Sequence, residues 1–255
     1  MKMTILNVVF LGPAGSGKTT LTATFGEWLE KEMDYKVSFV NLDPGCEYLP
    51  YSPDFDIRSI ITTRDIMIRE KMGPNSAMVR AMELMKKRIE DIVASIVKLP
   101  GDICLIDTPG QMEVFIFHAA GPKIVKELEN IGRTVNVFLL DATLTSKVSS
   151  LVVAELMSIA VQLLMEIPTV TVLSKIDKVD REDIDRLILD IEYLKDSLRK
   201  EGGGVIKDLS LEISEVIEVL RGSLRIVKVS ATKGIGFDQL YDLIHETFCT
   251  CGDLT

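Results

Sequence analysis

An apolar, β-branched run over Leu6–Leu11 feeds directly into Gly12-Pro-Ala-Gly-Ser-Gly-Lys-Thr19, and no other stretch restricts the folding of this chain as tightly. Glycines at this spacing let the backbone curl until successive N–H groups face one point. A helix opening near Lys18 turns its positive end toward the same point. That arrangement suits a phosphate, and it works only where a strand delivers the loop and a helix leaves it. The motif therefore predicts a strand–loop–helix unit in an α/β protein. Gly15, Ser16, Gly17, Lys18, Thr19 and Thr20 become the phosphate-side residues. Lys18 would reach the β- and γ-phosphates, and the Thr19 hydroxyl would ligate Mg²⁺.

The first strand is expected over Leu6–Gly12, with others at Val37–Asp43, Asp102–Asp107, Thr134–Ala142, Pro168–Ser174 and Leu224–Ser230. Helical patterns at Lys18–Met33, Ser76–Leu99, Ser146–Ile167 and Phe237–Phe248 lie between them. Nearly continuous apolar strands with helical crossovers predict a doubly wound, mostly parallel sheet with helices on both faces, the P-loop NTPase fold. Residues 179–222 depart from this alternation, with two charged helical patterns around a Gly202–Gly204 break. They are expected to form a helical insertion before the last strand, within a single domain spanning 1–255.

Composition narrows the partners. With 29 Lys and Arg against 38 Asp and Glu, the net charge of -9 argues against a broad surface for nucleic acid or anionic membrane. Direct binding to either is not expected, so any phosphate must be held by local geometry. The apolar stretch Val148–Ile167 is interrupted by Glu155, Gln162 and Glu166 and reads as a core or interface helix. The apolar N-terminal run leads straight into the glycine motif and reads as a buried strand, not a signal peptide. Of the four cysteines, Cys104 lies in an apolar strand, while Cys249 and Cys251 lack a neighbouring His or third Cys to complete a metal site. A reducing, cytoplasmic compartment is expected.

Three more motifs end strands at one edge of such a sheet. Asp107 closes an apolar run and precedes Thr-Pro-Gly-Gln111. A carboxylate there would hold Mg²⁺, because ligands gather at the carboxyl ends of parallel strands. Gly110 allows close approach to a γ-phosphate. Gln111 either orients an attacking water or is a polar residue opening a helix. Ser174-Lys-Ile-Asp177 is a variant of the N/T-K-x-D guanine motif, with Ser in place of the usual Asn or Thr. Asp177 can accept both the N1–H and the N2–H of guanine, donors that adenine lacks at those positions. The Lys175 stem would lie along the base. After the last strand, Ser230-Ala231-Thr232 offers the Ala231 N–H to guanine O6. Together the four motifs describe a GTP site.

With its motifs in this order the chain resembles the GPN-loop GTPases over essentially its whole length. The resemblance rests on the phosphate loop, Asn41-Leu-Asp-Pro-Gly45, Asp56–Met67, Gly73-Pro74-Asn75, Asp107–Gln111, Ser174–Asp177 and Ser230-Ala231. It implies homodimers or heterodimers that bind and hydrolyse GTP. It also implies that the segment 56–99 carries a loop, Gly73-Pro74-Asn75, reaching into the partner's site near the γ-phosphate. Asp43 and Gln111 would help place the attacking water. By resemblance to eukaryotic relatives, a protein client such as RNA polymerase subunits is conceivable. Ser76 departs from the Gly usual after the tripeptide, which stiffens or re-aims the loop.

Residue types alone leave rivals standing. Gly73-Pro74-Asn75 is equally a helix-breaking linker with Asn75 as N-cap. Asp43 suits the start of a turn. Trp28 and the stripe Met78, Met82, Met85 read as core or dimer packing, His118 as structural, and Val114–Ala120 as an apolar surface for a partner. Three functions compete. The leading one is a GTP-hydrolysing dimeric switch or assembly factor, and the second a nucleotide-stabilised scaffold with incidental hydrolysis. The third, an ATP-driven partitioning or metal-insertion ATPase, is opposed by Asp177 and by Pro13, where that group carries Lys.

Overall fold

Alternation along the strands decides which helices cover which face of the sheet. The computed structural model describes residues 5–180, 183–201, 204–220 and 226–248. Its strands are β1 (Leu6–Leu11), β2 (Val37–Asn41), β3 (Phe55–Asp56), β4 (Ile103–Asp107), β5 (Arg133–Asp141), β6 (Thr169–Ser174) and β7 (Ile226–Val229). All pair in parallel, in the order β3-β2-β4-β1-β5-β6-β7. The helices are α1 (Lys18–Glu32), α2 (Thr63–Glu70), α3 (Pro74–Lys86), α4 (Ile89–Val97), α5 (Met112–Phe117) and α6 (Ala120–Ile131). They continue as α7 (Val148–Met165), α8 (Ile184–Leu189), α9 (Ile191–Lys200), α10 (Val205–Leu220) and α11 (Phe237–Glu246).

Leu6, Val8 and Phe10 turn to one side and meet Leu21, Phe25 and Leu29 of α1 with Phe237, Leu240 and Ile244 of α11. Val9 and Leu11 turn to the other side, into a larger core built by α2 to α10, with Met82, Met85, Ile92 and Ile124 fully buried. Each such aliphatic or aromatic side chain contributes roughly 1.5–3 kcal/mol when taken fully out of water. Trp28 packs on Phe25, Phe237 and Tyr241, and the methionine stripe of α3 faces the core. Gly26 is required by this packing, since a Cβ there would lie 2.4 Å from the Phe39 ring.

Several expectations need correction. The helix expected over Ser76–Leu99 is two helices: α3 begins earlier, at Pro74, and the chain bends at Arg88, whose backbone is non-helical. No Gly or Pro marks that bend. Asn75 is not the N-cap; Gly73 takes that position, with Pro74 in the first turn as its fixed φ favours. The two-residue strand β3 carries no periodic signal and went unanticipated. Among the described residues three α-helices, α8 to α10, lie between β6 and β7, where the sequence pattern predicts two, and Gly202 and Gly203 lie outside the described residues. Leu224 at the expected start of the last strand, Cys249 and Cys251 also lie outside them. Val114–Ala120 is mostly turned inward: Phe115 and Ile116 are buried, while Phe117 is 70% exposed. The helix α7 is long and apolar enough to cross a membrane by length and composition, yet it packs Leu151, Val152, Val161 and Met165 into the core.

Candidate active site

Every motif singled out in the sequence, the tripeptide excepted, sits at the carboxyl edge of the sheet. The strand order spreads them along a line. Asp43 follows β2, Asp107 ends β4, the glycine loop follows β1, Asp141 ends β5, Lys175 follows β6 and Ser230 follows β7. The loop therefore stands in the middle, with carboxylates on one side and the Ser174–Asp177 turn on the other.

Gly15 and Gly17 take left-handed backbone conformations, at φ 78° and 96°, so an L side chain at either would be strained. At Gly12 a Cβ would sit 2.4 Å from the Leu139 carbonyl oxygen, so the loop can lie this close to β5 only without one. Gly17 caps α1, whose first N–H groups have no acceptor within the helix. Lys18 is buried and donates from Nζ to Gly12 O at 2.7 Å and Pro13 O at 3.0 Å. Burial lowers its pKa, and the charges of Asp107, Asp43 and Glu113 pull it back up. A buried ammonium whose hydrogen bonds go to two carbonyls is ready to exchange them for an anion. Ser16 is buried with its hydroxyl oxygen unpartnered, Thr19 is half-buried and Thr20 is exposed.

Asp107 is 1% exposed, and burial pushes its carboxyl up to about 6, against the pull of the Thr19 hydroxyl and Lys18. Its Oδ2 accepts from the Tyr51 hydroxyl at 3.2 Å, while Oδ1 is buried with no hydrogen-bond partner. An orphaned carboxylate oxygen beside a threonine hydroxyl and a phosphate cradle fits a Mg²⁺ site. Asp43 is held by two backbone donors, Gly45 N–H to Oδ1 at 2.8 Å and Gly110 N–H to Oδ2 at 3.3 Å. Burial raises its pKa despite those bonds and the neighbouring Lys18. A turn is present, as the bland reading of Asp43 required, but the same carboxylate also reaches across to the loop after β4. Gln111 occupies the N-cap position of α5 without a side-chain capping bond.

On the other side, Ser174 supplies what its substitution for Asn or Thr left in question. Its hydroxyl lies 2.6 Å from Ser16 O and 3.0 Å from Leu140 O, tying the β6 turn to the glycine loop. Lys175 adopts a left-handed backbone and pairs with Asp141 at 2.6 Å. Its stem reaches within 4.0 Å of where a Gly17 Cβ would be. Asp177 Oδ1 accepts from the buried Ser230 hydroxyl at 2.6 Å, and that bond is the main reason its pKa is lowered. Ala231 is half-buried, while Thr232 is exposed and in reach of the Ser230 hydroxyl. The loop from Ser230 closes on itself through Ser230 N–H to Ile235 O and Ile235 N–H to Ser230 O.

Gly73, Pro74 and Asn75 are exposed at the start of α3. Their helix nevertheless touches the site's edge: Met78 Cε would lie 2.9 Å from a Cβ at Gly45, next to Asp43. Sequence reasoning missed Tyr51 and Asp141, and it named Asn41, Asp56 and Arg58 within two motifs without linking them into the network in which Asn41 Nδ2 donates to Asp56 and Arg58 clamps that carboxylate. Strand-end position was the available signal for Asp141. Nothing in the spacing marked Tyr51.

Comparison with known proteins follows the same lines. The family model described as "Conserved hypothetical ATP binding protein" matches residues 10–250. The GPN-loop GTPase PAB0955 of Pyrococcus abyssi is 37% identical over 97% of this chain and 99% of its own length. Its apo crystal structure superposes with a TM-score of 0.86 at 34% identity, covering 96% of this chain and 98% of that one. GPN-loop GTPase 1 of Dictyostelium discoideum is 30% identical over 94% of this chain, which spans 60% of that longer relative.

Proposed function

Because this chain belongs to the GPN-loop GTPase family, we propose that it binds GTP with Mg²⁺ and hydrolyses it to GDP and phosphate as a homodimer. The observation that carries the reading is the single line of groups at the sheet edge. Asp177 and Ser230 lie at one end, Lys18 in the middle, and Asp107 and Asp43 at the other. A nucleoside triphosphate has the same order of base, phosphates and metal. The family model's description names ATP, but a carboxylate at Asp177, kept ionised by Ser230, favours a base that presents two donors, and guanine does.

The chain's own residues divide the work. Lys18 leaves its carbonyl partners for the β- and γ-phosphates, and the first-turn N–H groups of α1 face the same oxygens. Thr19 and Asp107 would hold Mg²⁺, which supplies charge neutralisation on the phosphate oxygens. Gly110 N–H now bonds Asp43 Oδ2, and it is the natural donor to an arriving γ-phosphate. That exchange frees Asp43 Oδ2 to accept a hydrogen bond from the attacking water. Its burial favours the protonated form and suits it to take that proton. Gln111, with an uncommitted amide, orients the same water. The water oxygen bonds to the γ-phosphorus as the bond to the β–γ bridging oxygen breaks, leaving GDP and inorganic phosphate.

Gly73-Pro74-Asn75 completes the site from the partner subunit in this reading. The tripeptide is exposed in its own chain, presents first-turn N–H donors and the Asn75 amide, and is stiffened by Pro74. The dimer works as a switch or assembly factor in a reducing, cytoplasmic compartment, with a protein client such as RNA polymerase subunits. Competition of GTP and ATP for a fluorescent GDP analogue tests the base assignment. GTP should displace the analogue at concentrations at which ATP does not; equal competition refutes it.

A further inference from the structure

The two oxygens of Asp107 differ in their surroundings. One carboxylate oxygen is capped by the Tyr51 hydroxyl, and the other is buried and bare. Tyr51 stands far from Asp107 in sequence, on the connection that follows Asp43, yet its place is fixed by a chain of contacts. Gly26 lacks the Cβ that would clash with Phe39, so Phe39 lies against α1. The Tyr51 ring stacks on Phe39, with centroids 5.3 Å apart and planes 26° from parallel. The end of the connection is pinned to the same residue, by Phe39 N–H to Asp54 Oδ2 and Asp54 N–H to Phe39 O, both at 2.8 Å. Its beginning is pinned by Asn41 and Gly110 to Asp43.

A carboxylate free to rotate about its terminal torsion presents either oxygen to a cation and loses orientational entropy on binding. One held by a hydroxyl on Oδ2 has that torsion set in advance, with Oδ1 left without a hydrogen-bond partner. Partners of this kind, bonded to a ligand rather than to the metal, tune metal affinity by orienting the ligand. We propose that Tyr51 is a positioning residue for the metal carboxylate: its hydroxyl holds Asp107 so that Oδ1 faces the cation bound with the nucleotide. This rests on reading Asp107 as the metal carboxylate. It also joins the metal side of the site to the Asp43 segment through one short, doubly pinned connection.

The test is the Mg²⁺ dependence of GDP release, followed with a fluorescent GDP analogue on the full-length chain. Analogue affinity in EDTA, where Tyr51 has no part, checks the nucleotide site by itself. Tyr51→Phe keeps the ring and its stack on Phe39 but removes the hydroxyl. It should bind the analogue in EDTA within about twofold of wild type, yet need about tenfold more Mg²⁺ for half-maximal slowing of release, at the low end for loss of such a partner. In an Asp107→Ala background the same substitution should change nothing, because the group it acts through is gone. An unchanged Mg²⁺ midpoint overturns the proposal, and so does an effect that persists with Asp107→Ala. Weakened binding in EDTA also overturns it, since Tyr51 then shapes the pocket and not the metal ligand. Failure of the wild-type protein to bind the analogue at all removes the nucleotide reading itself, a distinct result.

Discussion

Replacing Ser174 with alanine removes one proton from a place where two carbonyls compete for it. The Ser174 hydroxyl is 2.6 Å from Ser16 O and 3.0 Å from Leu140 O, and the side chain is 5% exposed, so water cannot easily replace it. The hydroxyl serves one carbonyl at a time, so the variant loses one hydrogen bond. It also leaves a buried acceptor unserved, which together costs about 1–3 kcal/mol. For a chain of this size each kcal/mol shifts the melting temperature by roughly 2–4 °C. The loss falls on the joint between the glycine loop and the β6 turn, so nucleotide affinity should fall as well, by up to about tenfold for each 1.4 kcal/mol felt by the bound state. Thermal melting of the nucleotide-free protein and titration with a fluorescent GDP analogue measure the two effects separately. A variant with wild-type melting temperature and wild-type GDP affinity would show that this hydroxyl is not a clamp.

Asp177→Asn should weaken GTP by roughly ten- to a hundredfold and shift preference toward xanthosine nucleotides, read by competition binding. Gln111→Ala and Asp43→Ala should spare most GDP affinity while lowering phosphate release at saturating GTP; wild-type rates from both would remove their water-placing role. Because the folded-state pKa of Asp107 lies near 6, above its ordinary value of 3.8, the folded form holds its proton more tightly. Stability of the metal- and nucleotide-free protein should therefore fall as pH rises from about 4 through 6, by on the order of 1–3 kcal/mol. Asp107→Asn should flatten that part of the profile in denaturant melts. Pairing an Asn75→Ala subunit with a Lys18→Ala subunit should recover activity toward half of wild type if the tripeptide acts across the dimer. A verified mixed dimer without recovery would make it a local loop.

Much of the site was legible because its chemistry depends on backbone conformation that few residues permit. Gly12, Gly15 and Gly17 announce a loop that approaches its ligand closely, and the apolar runs before Asp107, Ser174 and Ser230 place those residues at strand ends. What stayed hidden depends on distance in sequence. Tyr51 reaches Asp107 only through Phe39 and Gly26, three residues with no shared spacing. The bend at Arg88 is likewise invisible, because Met78, Met82, Met85, Ile92 and Ile96 keep helical phase across it, and the core, not a breaking residue, turns the chain. Ser174 was a doubtful substitution by type and acquired a function only when Ser16 was found beside it.

The bond between Asp177 and Ser230 closes a span of 53 residues that contains α8, α9 and α10. Closing so long a loop costs entropy before any contact repays it. The glycine loop, by contrast, joins a strand and a helix adjacent in sequence, and β4 and β5, the strands that flank β1, both precede that span. During synthesis every strand that flanks the glycine loop is therefore made before Ser230, so the orientation of the base acceptor is completed last. A chain interrupted within α10 would lack Ser230, whose hydroxyl orients Asp177, and the α11 residues that pack on α1. Discrimination between guanine and adenine nucleotides is thus also a measure of whether the protein has finished folding.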